Sequence, residues 1–136
     1  MNSILSIAAS GMAAAMRRLE VSASNVANAL SDGPLPSADA AIRAKYPAAY
    51  TPMRVDQVAT AGGGTAAVVG NVTPGTVPAY DSGAPFADDR GMVASPNVNI
   101  ANEAVQQLVA RYTFVMNAVV MRTYDQMMKS LLDIKT

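Results

Sequence analysis

The chain is 136 residues long, the size of one domain, and its ten basic and ten acidic side chains leave a net charge of zero. Hydrophobic residues make up 51% of it, but its only aromatic side chains are five tyrosines and two phenylalanines. No segment is basic enough to hold a nucleic-acid backbone, and the absence of cysteine and histidine excludes disulfides, thiolate metal sites and catalysis by histidine.

Residues 1–32 predict an N-terminal helix with an apolar seam. The a/d heptad positions of this seam are Leu5, Ala9, Met12, Met16, Leu19, Ala23, Val26 and Leu30. We expect the helix to end at Gly33, in the left-handed conformation after the last turn, because Pro34 cannot continue it. Gly11 costs the helix about 1 kcal/mol relative to alanine, so it is either a tolerated defect or a point where another helix approaches closely.

The N-terminal segment does not have the charge pattern of a secretory signal. Ile4 to Ala15 is apolar, but Arg17 and Arg18 follow the apolar run instead of preceding it. We therefore expect no cleaved signal peptide. We also expect no membrane span, since arginine interrupts the first helix here and the last helix at Arg111 and Arg122.

Residues 33–96 differ in composition, because they hold all eight prolines and eight of the nine glycines. One short helical turn is predicted within residues 38–45. Short strands at residues 55–58 and 66–69, on either side of Gly62-Gly63-Gly64, predict a β-hairpin. Residues 73–96 are rich in turn signals and are expected to be an extended linker, parts of which order only against neighbours.

Residues 97–136 contain neither glycine nor proline and predict one long C-terminal helix. Asn99 is its expected N-cap, and Glu103 complements the helix dipole in the first turn. A single apolar stripe follows at steps of three or four residues, comprising Val105, Val109, Tyr112, Met116, Val119, Thr123, Met127, Leu131 and Ile134. Such a helix is about 50 Å long and cannot bury its stripe within a compact globule. We expect it to pack on the N-terminal helix and on other molecules.

No motif in the chain predicts an enzyme. The neighbouring carboxylates Asp88 and Asp89 lie in a turn-rich segment, where such pairs are usually solvated. The triglycine lacks the lysine and the helix start of a phosphate-binding loop, and Asn71-Val72-Thr73 is only a short match to a glycosylation acceptor. We expect no catalytic residues, no cofactor, no metal and no small-molecule substrate.

Two sets of motifs resemble those of a known family. Ser10-Gly11-Met12, Arg18-Leu19-Glu20-Val21 and Ser24-Asn25-Val26-Ala27-Asn28-Ala29 are similar to the N-terminal signature of bacterial flagellar axial proteins, the group of rod, hook and hook-associated subunits. Tyr80-Asp81, Pro85, Ala87-Asp88, Gly91-Met92-Val93 and Pro96-Asn97-Val98-Asn99 resemble the segment before the C-terminal helix of the proximal-rod subunits.

The resemblance implies a mainly α-helical fold, in which the terminal helices pair as a coiled-coil-like domain and a small β-hairpin or extended segment forms the middle. It implies a non-enzymatic subunit of the periplasmic basal-body rod that polymerises around the export channel and transmits torque. The expected partners are other copies, other rod subunits and the flagellar type III export apparatus, which would export the chain without a cleaved signal.

The residues expected to pack between subunits belong mostly to the two apolar stripes. They are Leu5, Met12, Leu19, Asn25, Val26, Asn28, Pro96, Asn97, Asn99, Val105, Val109, Tyr112, Met116, Val119, Met127 and Leu131. Asn25 and Asn28 either cap the end of the helix or, as the resemblance implies, form hydrogen bonds within or between subunits. Two alternatives stay open: another axial subunit of the rod or hook, and an export-linked helical-hairpin binding module that folds alone.

Overall fold

A computed structural model describes residues 3–134 of the chain, so the predictions for residues 1, 2, 135 and 136 lie outside it. The elements, in chain order, are α1 (Ser3–Ala27), α2 (Ala40–Lys45), β1 (Met53–Ala59), β2 (Thr65–Asn71), β3 (Thr76–Tyr80), β4 (Met92–Pro96) and α3 (Ile100–Asp133). The expected mainly helical fold, with long terminal helices and a small antiparallel β middle, is confirmed. No helix among the described residues combines the length and apolarity that crossing a membrane requires.

Helix α1 ends at Ala27, six residues before the predicted stop at Gly33. The predicted role of Gly33 is wrong, because its φ is not positive and its backbone instead forms a bridge with Ala94 through two hydrogen bonds of 2.9 and 3.0 Å. A side chain at Gly33 would collide with the backbone of residues 47–49. Glycine is therefore required there by the close passage of another segment and not by a helix cap.

Helices α1 and α3 lie antiparallel, as two cross-contacts along α1 show. Ser22 Oγ donates to the carbonyl of Glu103, and Gly11 faces Asn117 one-third of the way along α1. A Cβ on Gly11 would come within 2.7 Å of the Asn117 side chain, which confirms the close helix approach at this glycine. Small residues dominate the buried face of α1: Ala8, Gly11, Ala14, Ala15, Val21, Ser22 and Asn25.

The predicted heptad seam is not the face through which α1 meets α3, and coiled-coil pairing within the chain is not confirmed. Leu5 and Met12 are half-buried, whereas Met16, Leu19 and Val26 are exposed. Alanine and glycine allow the helix backbones to approach more closely than leucine and methionine do. The large seam residues are consequently displaced to the flank of the helix pair.

Helix α3 is 34 residues long, about 50 Å at 1.5 Å per residue. Its predicted N-cap is confirmed, because the Asn99 side chain accepts a hydrogen bond from the backbone N–H of Asn102 at 3.0 Å. Ala110 is its buried residue at the contact with α1. Its predicted apolar stripe lies on other faces and is exposed.

The predicted hairpin is confirmed, and its strands are longer than expected. β1 and β2 pair antiparallel from Met53 opposite Asn71 to Ala59 opposite Thr65. The loop between them contains Gly62-Gly63-Gly64, with φ values of +92°, +90° and +93°, a conformation that L side chains rarely adopt. Both strands pack on α1.

A second antiparallel sheet occupies the segment that we expected to be an extended linker, so that expectation is wrong. β3 and β4 pair from Thr76 opposite Pro96 to Tyr80 opposite Met92. The turn signals at residues 81–91 form the loop that joins the two strands, and Val93 of β4 is completely buried. The short helix α2 lies within the predicted turn at residues 38–45, with Asp39 as its N-cap.

Candidate assembly surface

The side chain of Asn25 joins α1 to β1 and α3. Its Nδ2 donates to the carbonyl of Met53 and to Oε1 of Glu103, both at 2.7 Å. Its Oδ1 accepts from the N–H of Met53 at 2.9 Å and from the hydroxyl of Tyr50 at 3.0 Å. Asn25 is only 1% exposed, and both donors and both lone pairs of its amide are used. These contacts show that Asn25 acts within the chain.

The polar contacts around Asn25 extend to the end of α1. Tyr50 Oη lies 3.1 Å from Ser24 Oγ, and the N–H of Tyr50 donates to the carbonyl of Ser31. Asn28 Nδ2 donates to the carbonyl of Ser24, four residues earlier, at 2.9 Å. Asn28 therefore satisfies a carbonyl at the helix C-terminus, which is the capping alternative for this residue.

The hairpin is attached to α1 at two points that lie 15 residues apart on the helix. Asn25 binds both backbone groups of Met53 at the base of the hairpin. Near the tip, the N–H of Thr65 donates to Ser10 Oγ at 3.1 Å, and that hydroxyl donates to the carbonyl of Ile7. Fifteen residues of helix span about 22 Å, close to the length of seven strand residues. The hairpin therefore lies along α1, and sequence reasoning missed the role of Ser10 because its partner is 55 residues away.

An apolar groove, which we call the α1–α3 groove, lies beside the contact between the two helices and encloses a volume of about 590 Å³. It is lined by Ala15, Met16 and Leu19 of α1 and by Ala104, Gln107, Leu108, Ala110, Arg111, Phe114 and Val115 of α3. Five of its large apolar side chains are 36–53% exposed. Leu19, predicted from the heptad pattern, lies here.

A second exposed apolar surface, which we call the α3 ridge, lies on α3 outside the residues that contact α1. This α3 ridge consists of Val105, Val109, Tyr112, Met116 and Val119, which are 42–69% exposed. All five were predicted from the periodicity of the C-terminal helix. The stripe continues through Met127 and Leu131, which are both 61% exposed. Together with Ile4 of α1, these two residues also line a second groove, which has a volume of about 450 Å³.

The remaining predicted residues belong to the connection between β4 and α3. Pro96 is buried at the end of β4. Asn97 binds the turn before β3, since its backbone N–H donates to the carbonyl of Gly75 and its side chain to that of Pro74. Asn99 caps α3. The structure places these residues in contacts within the chain and Val26 on the exposed flank of α1.

Asp88, the first residue of the acidic pair in the β3–β4 loop, is held by hydrogen bonds and an ion pair within that loop. Asp88 Oδ1 accepts from the backbone N–H groups of Met92 and Arg90, and Oδ2 pairs with the Arg90 guanidinium. These interactions, the Met92 bond foremost, hold the pKa of Asp88 below its usual value. Asp89 is exposed. Among residues 3–134, no three acidic side chains converge in a way that could hold a metal ion.

The chain matches two family models. Residues 5–33 match "Flagella basal body rod protein", and residues 89–134 match "Flagellar basal body rod FlgEFG protein C-terminal". Both descriptions are of rod proteins and neither is of an enzyme. The matched ranges contain most of α1 and α3, together with β4.

Curated relatives align with almost the whole chain. The flagellar basal-body rod protein FlgC of Salmonella typhimurium is 36% identical over 129 residues, which cover 92% of this chain and 90% of that protein. FlgC of Escherichia coli O6:H1 is 34% identical with the same coverage. FlgC of Agrobacterium fabrum is 31% identical, covering 94% of this chain and 90% of that protein.

Proposed function

The chain belongs to the FlgC family of flagellar basal-body rod proteins, and we propose that it builds the rod by binding neighbouring subunits through its two terminal helices. It is a structural subunit of the basal-body rod. The proposal adds the surfaces that carry assembly, the mechanical role and the route of export.

The observation that supports assembly through the helices is the distribution of exposed apolar side chains. Of the 24 large hydrophobic side chains that are exposed among the described residues, 18 lie on α1 and α3. Contiguous exposed apolar surfaces of more than a few hundred Å² are rare on monomeric proteins and mark interaction sites. The exposed apolar faces of α1 and α3 are therefore suited to contact a neighbouring subunit.

The predicted packing residues divide into two groups under this proposal. The apolar ones, on the seam of α1 and the stripe of α3, contact neighbouring subunits, and their coiled-coil-like pairing occurs between chains. The polar ones and Pro96 hold the helices in position: Asn25 joins α1 to α3 and β1, and Asn97 fixes the entry to α3.

Many such contacts along a shaft give stiffness, which is what the transmission of torque requires. We propose that the chain forms the part of the periplasmic rod that surrounds the export channel, and that the flagellar type III apparatus exports it. This role needs no catalytic residue, cofactor, nucleic acid or small-molecule substrate. The near-neutral charge of each helical segment allows like segments to pack together without repulsion.

The experiment is complementation of a deletion strain with two matched variants. Met116→Asp places a carboxylate on the α3 ridge, where assembly would bury it at a cost of several kcal/mol. Val58→Asp places one on an exposed position of the hairpin outside both helical surfaces. We expect the deletion to abolish swimming in soft agar, Val58→Asp to restore it and Met116→Asp not to restore it.

Two outcomes contradict the proposal. If the deletion strain swims and forms normal rods, the chain is not a required rod subunit, and an export-linked binding module becomes the better account. If Met116→Asp restores motility as well as Val58→Asp does, the ridge is not an assembly surface.

A further inference from the structure

A small polar crevice lies where α1, β1 and α3 meet, and it encloses a volume of about 230 Å³. We call it the Arg18 crevice. None of the ridge residues lines it, so it is separate from the exposed apolar surface of α3. Its lining includes Arg18, Ser22 and Asn25 of α1, Arg54 of β1, and Glu103 and Gln106 of α3.

Arg18 is the charged group of this crevice that lacks an opposite charge. Arg54 pairs with Asp56 at 2.9 Å, and Glu103 accepts a hydrogen bond from the amide of Asn25. The guanidinium of Arg18 instead donates to the neutral Oε1 of Gln106 at 2.7 Å. No carboxylate oxygen of residues 3–134 lies within 4.0 Å of its nitrogen atoms.

Arg18 also differs from the other basic residues in its burial. Arg18 is half-buried, whereas every other arginine and lysine among residues 3–134 is exposed. Arginine is rarely buried without a partner, and the attraction between partly buried charges is screened less by salt than that between exposed ones. The group that fits the planar guanidinium is a carboxylate, which it binds through two parallel hydrogen bonds.

Asp89 is the exposed carboxylate among residues 3–134 that has no hydrogen bond or ion pair within the chain. It lies in the β3–β4 loop, next to Asp88, which holds the loop through its bonds to Met92 and Arg90. This loop is at the opposite end of β4 from α3, and the five residues of β4 span about 17 Å. Asp89 is therefore held away from the start of α3, where the Arg18 crevice of the same chain lies.

We propose that Asp89 of one copy enters the Arg18 crevice of a second copy that is displaced along the rod, and that its carboxylate forms a bidentate ion pair with the Arg18 guanidinium. The inference rests on the proposed function and adds a charged contact outside the apolar surfaces of the helices. It goes with the β3–β4 loop, to which the proposed function assigns no contact.

Charge complementarity favours a second copy as the occupant. The chain provides one half-buried cation without a carboxylate and one exposed carboxylate without a cation. Glu103 also lines the crevice and would repel an incoming carboxylate. Arg90 directly follows Asp89, and its side chain is 80% exposed, so the loop brings a positive charge that offsets this repulsion.

The first experiment is complementation of the deletion strain with variants that keep or remove each charge. We expect Asp89→Glu to restore swimming fully and Arg18→Lys to restore it in part, because both keep the charge. We expect Asp89→Asn and Arg18→Gln to reduce swimming and Asp89→Arg to abolish it. Combining Asp89→Arg with Arg18→Asp reverses the pair and should restore swimming in part. Far-ultraviolet circular dichroism of the purified chains checks that each variant folds.

The second experiment is chemical cross-linking in isolated basal bodies. The chain contains no cysteine, so a short bis-maleimide links only thiols that are introduced into it. Chains with Arg18→Cys and chains with Asp89→Cys are expressed together with the wild-type chain, which supplies rods even where a variant assembles poorly. In the matched control, Glu20→Cys replaces Arg18→Cys, because Glu20 is exposed two residues away and does not line the crevice. We expect a covalent dimer from the first mixture and none from the control.

Three results would overturn the proposal. The first is normal swimming of both Asp89→Asn and Asp89→Arg. The second is a mixture that gives no more dimer than the control. The third is loss of swimming with a folded Arg18→Gln but not with Asp89→Asn, which would assign the crevice to a carboxylate of another protein. All three leave the proposed function intact, since that function fails only if the deletion strain itself swims.

Discussion

Replacement of Asn25 by alanine tests whether this one side chain holds α1, β1 and α3 together. The substitution removes four hydrogen bonds of 2.7–3.0 Å from a position that is 1% exposed. Tyr50 keeps its contact with Ser24, and Glu103 is half-buried and can be rehydrated. The N–H and the carbonyl of Met53 lose their partner, at about 1–3 kcal/mol for each buried group left unsatisfied.

We therefore expect Asn25→Ala to lower the free energy of unfolding by about 3–5 kcal/mol, a large part of the roughly 5–15 kcal/mol of a typical domain. The measurement is urea unfolding of the full-length chain, followed by far-ultraviolet circular dichroism. The matched control is Asn28→Ala, which removes a bond of 2.9 Å to a carbonyl at the helix end and a longer, exposed one of 3.3 Å from Ser31 Oγ, and should cost about 1 kcal/mol. A loss for Asn25→Ala that is no larger than the control would refute the reasoning, because the hydrogen bonds would then contribute nothing beyond local capping.

Three other substitutions test separate contacts. Gly11→Ala puts a methyl group against the Asn117 side chain, so we expect it to lower the free energy of unfolding by about 1–3 kcal/mol. In a double-mutant cycle, Asn117→Ala should partly reverse this loss, and additive effects would show that the helices are not this close. Ser10→Ala should speed amide exchange of Thr65 about tenfold, the loss of one hydrogen bond, without changing exchange at the base of the hairpin. Because the pKa of Asp88 is lowered, its carboxylate stabilises the β3–β4 loop at pH values above the ordinary carboxyl pKa, and this contribution is lost as the pH falls through the lowered pKa. Asp88→Asn should abolish the resulting pH dependence of amide exchange in β4. An unchanged pH profile would contradict this reasoning.

The local elements could be predicted because their signals are local. The absence of glycine and proline after Pro96 indicates α3, and Asn99 caps it through a contact three residues away. The triglycine and its flanking strands indicate the hairpin. The sheet of β3 and β4 was missed because Pro78 and the intervening turn residues are also typical of a linker, and only the partner strand makes them a sheet.

Contacts between distant segments could not be predicted in the same way. Asn25 meets residues 28 and 78 positions away, and no pattern near it encodes these partners. The heptad pattern found the apolar residues of α1 but chose the wrong face for the contact with α3, because periodicity records apolar character and not size. Gly11 was the one local signal of size, and it indicated the correct face.

The sizes of the side chains on the faces of α1 and α3 connect the fold to the proposed assembly. In an ordinary monomer, leucine, isoleucine and methionine are among the residues most often buried. Here the helix contact within the chain is made by alanine, glycine, serine and asparagine, while large side chains such as Leu19 and Met116 remain on the surface. A small-residue contact brings two helices close but buries little apolar area, and apolar area is the main source of stability in folding and association. We therefore propose that these exposed side chains add to stability when a neighbouring subunit covers them.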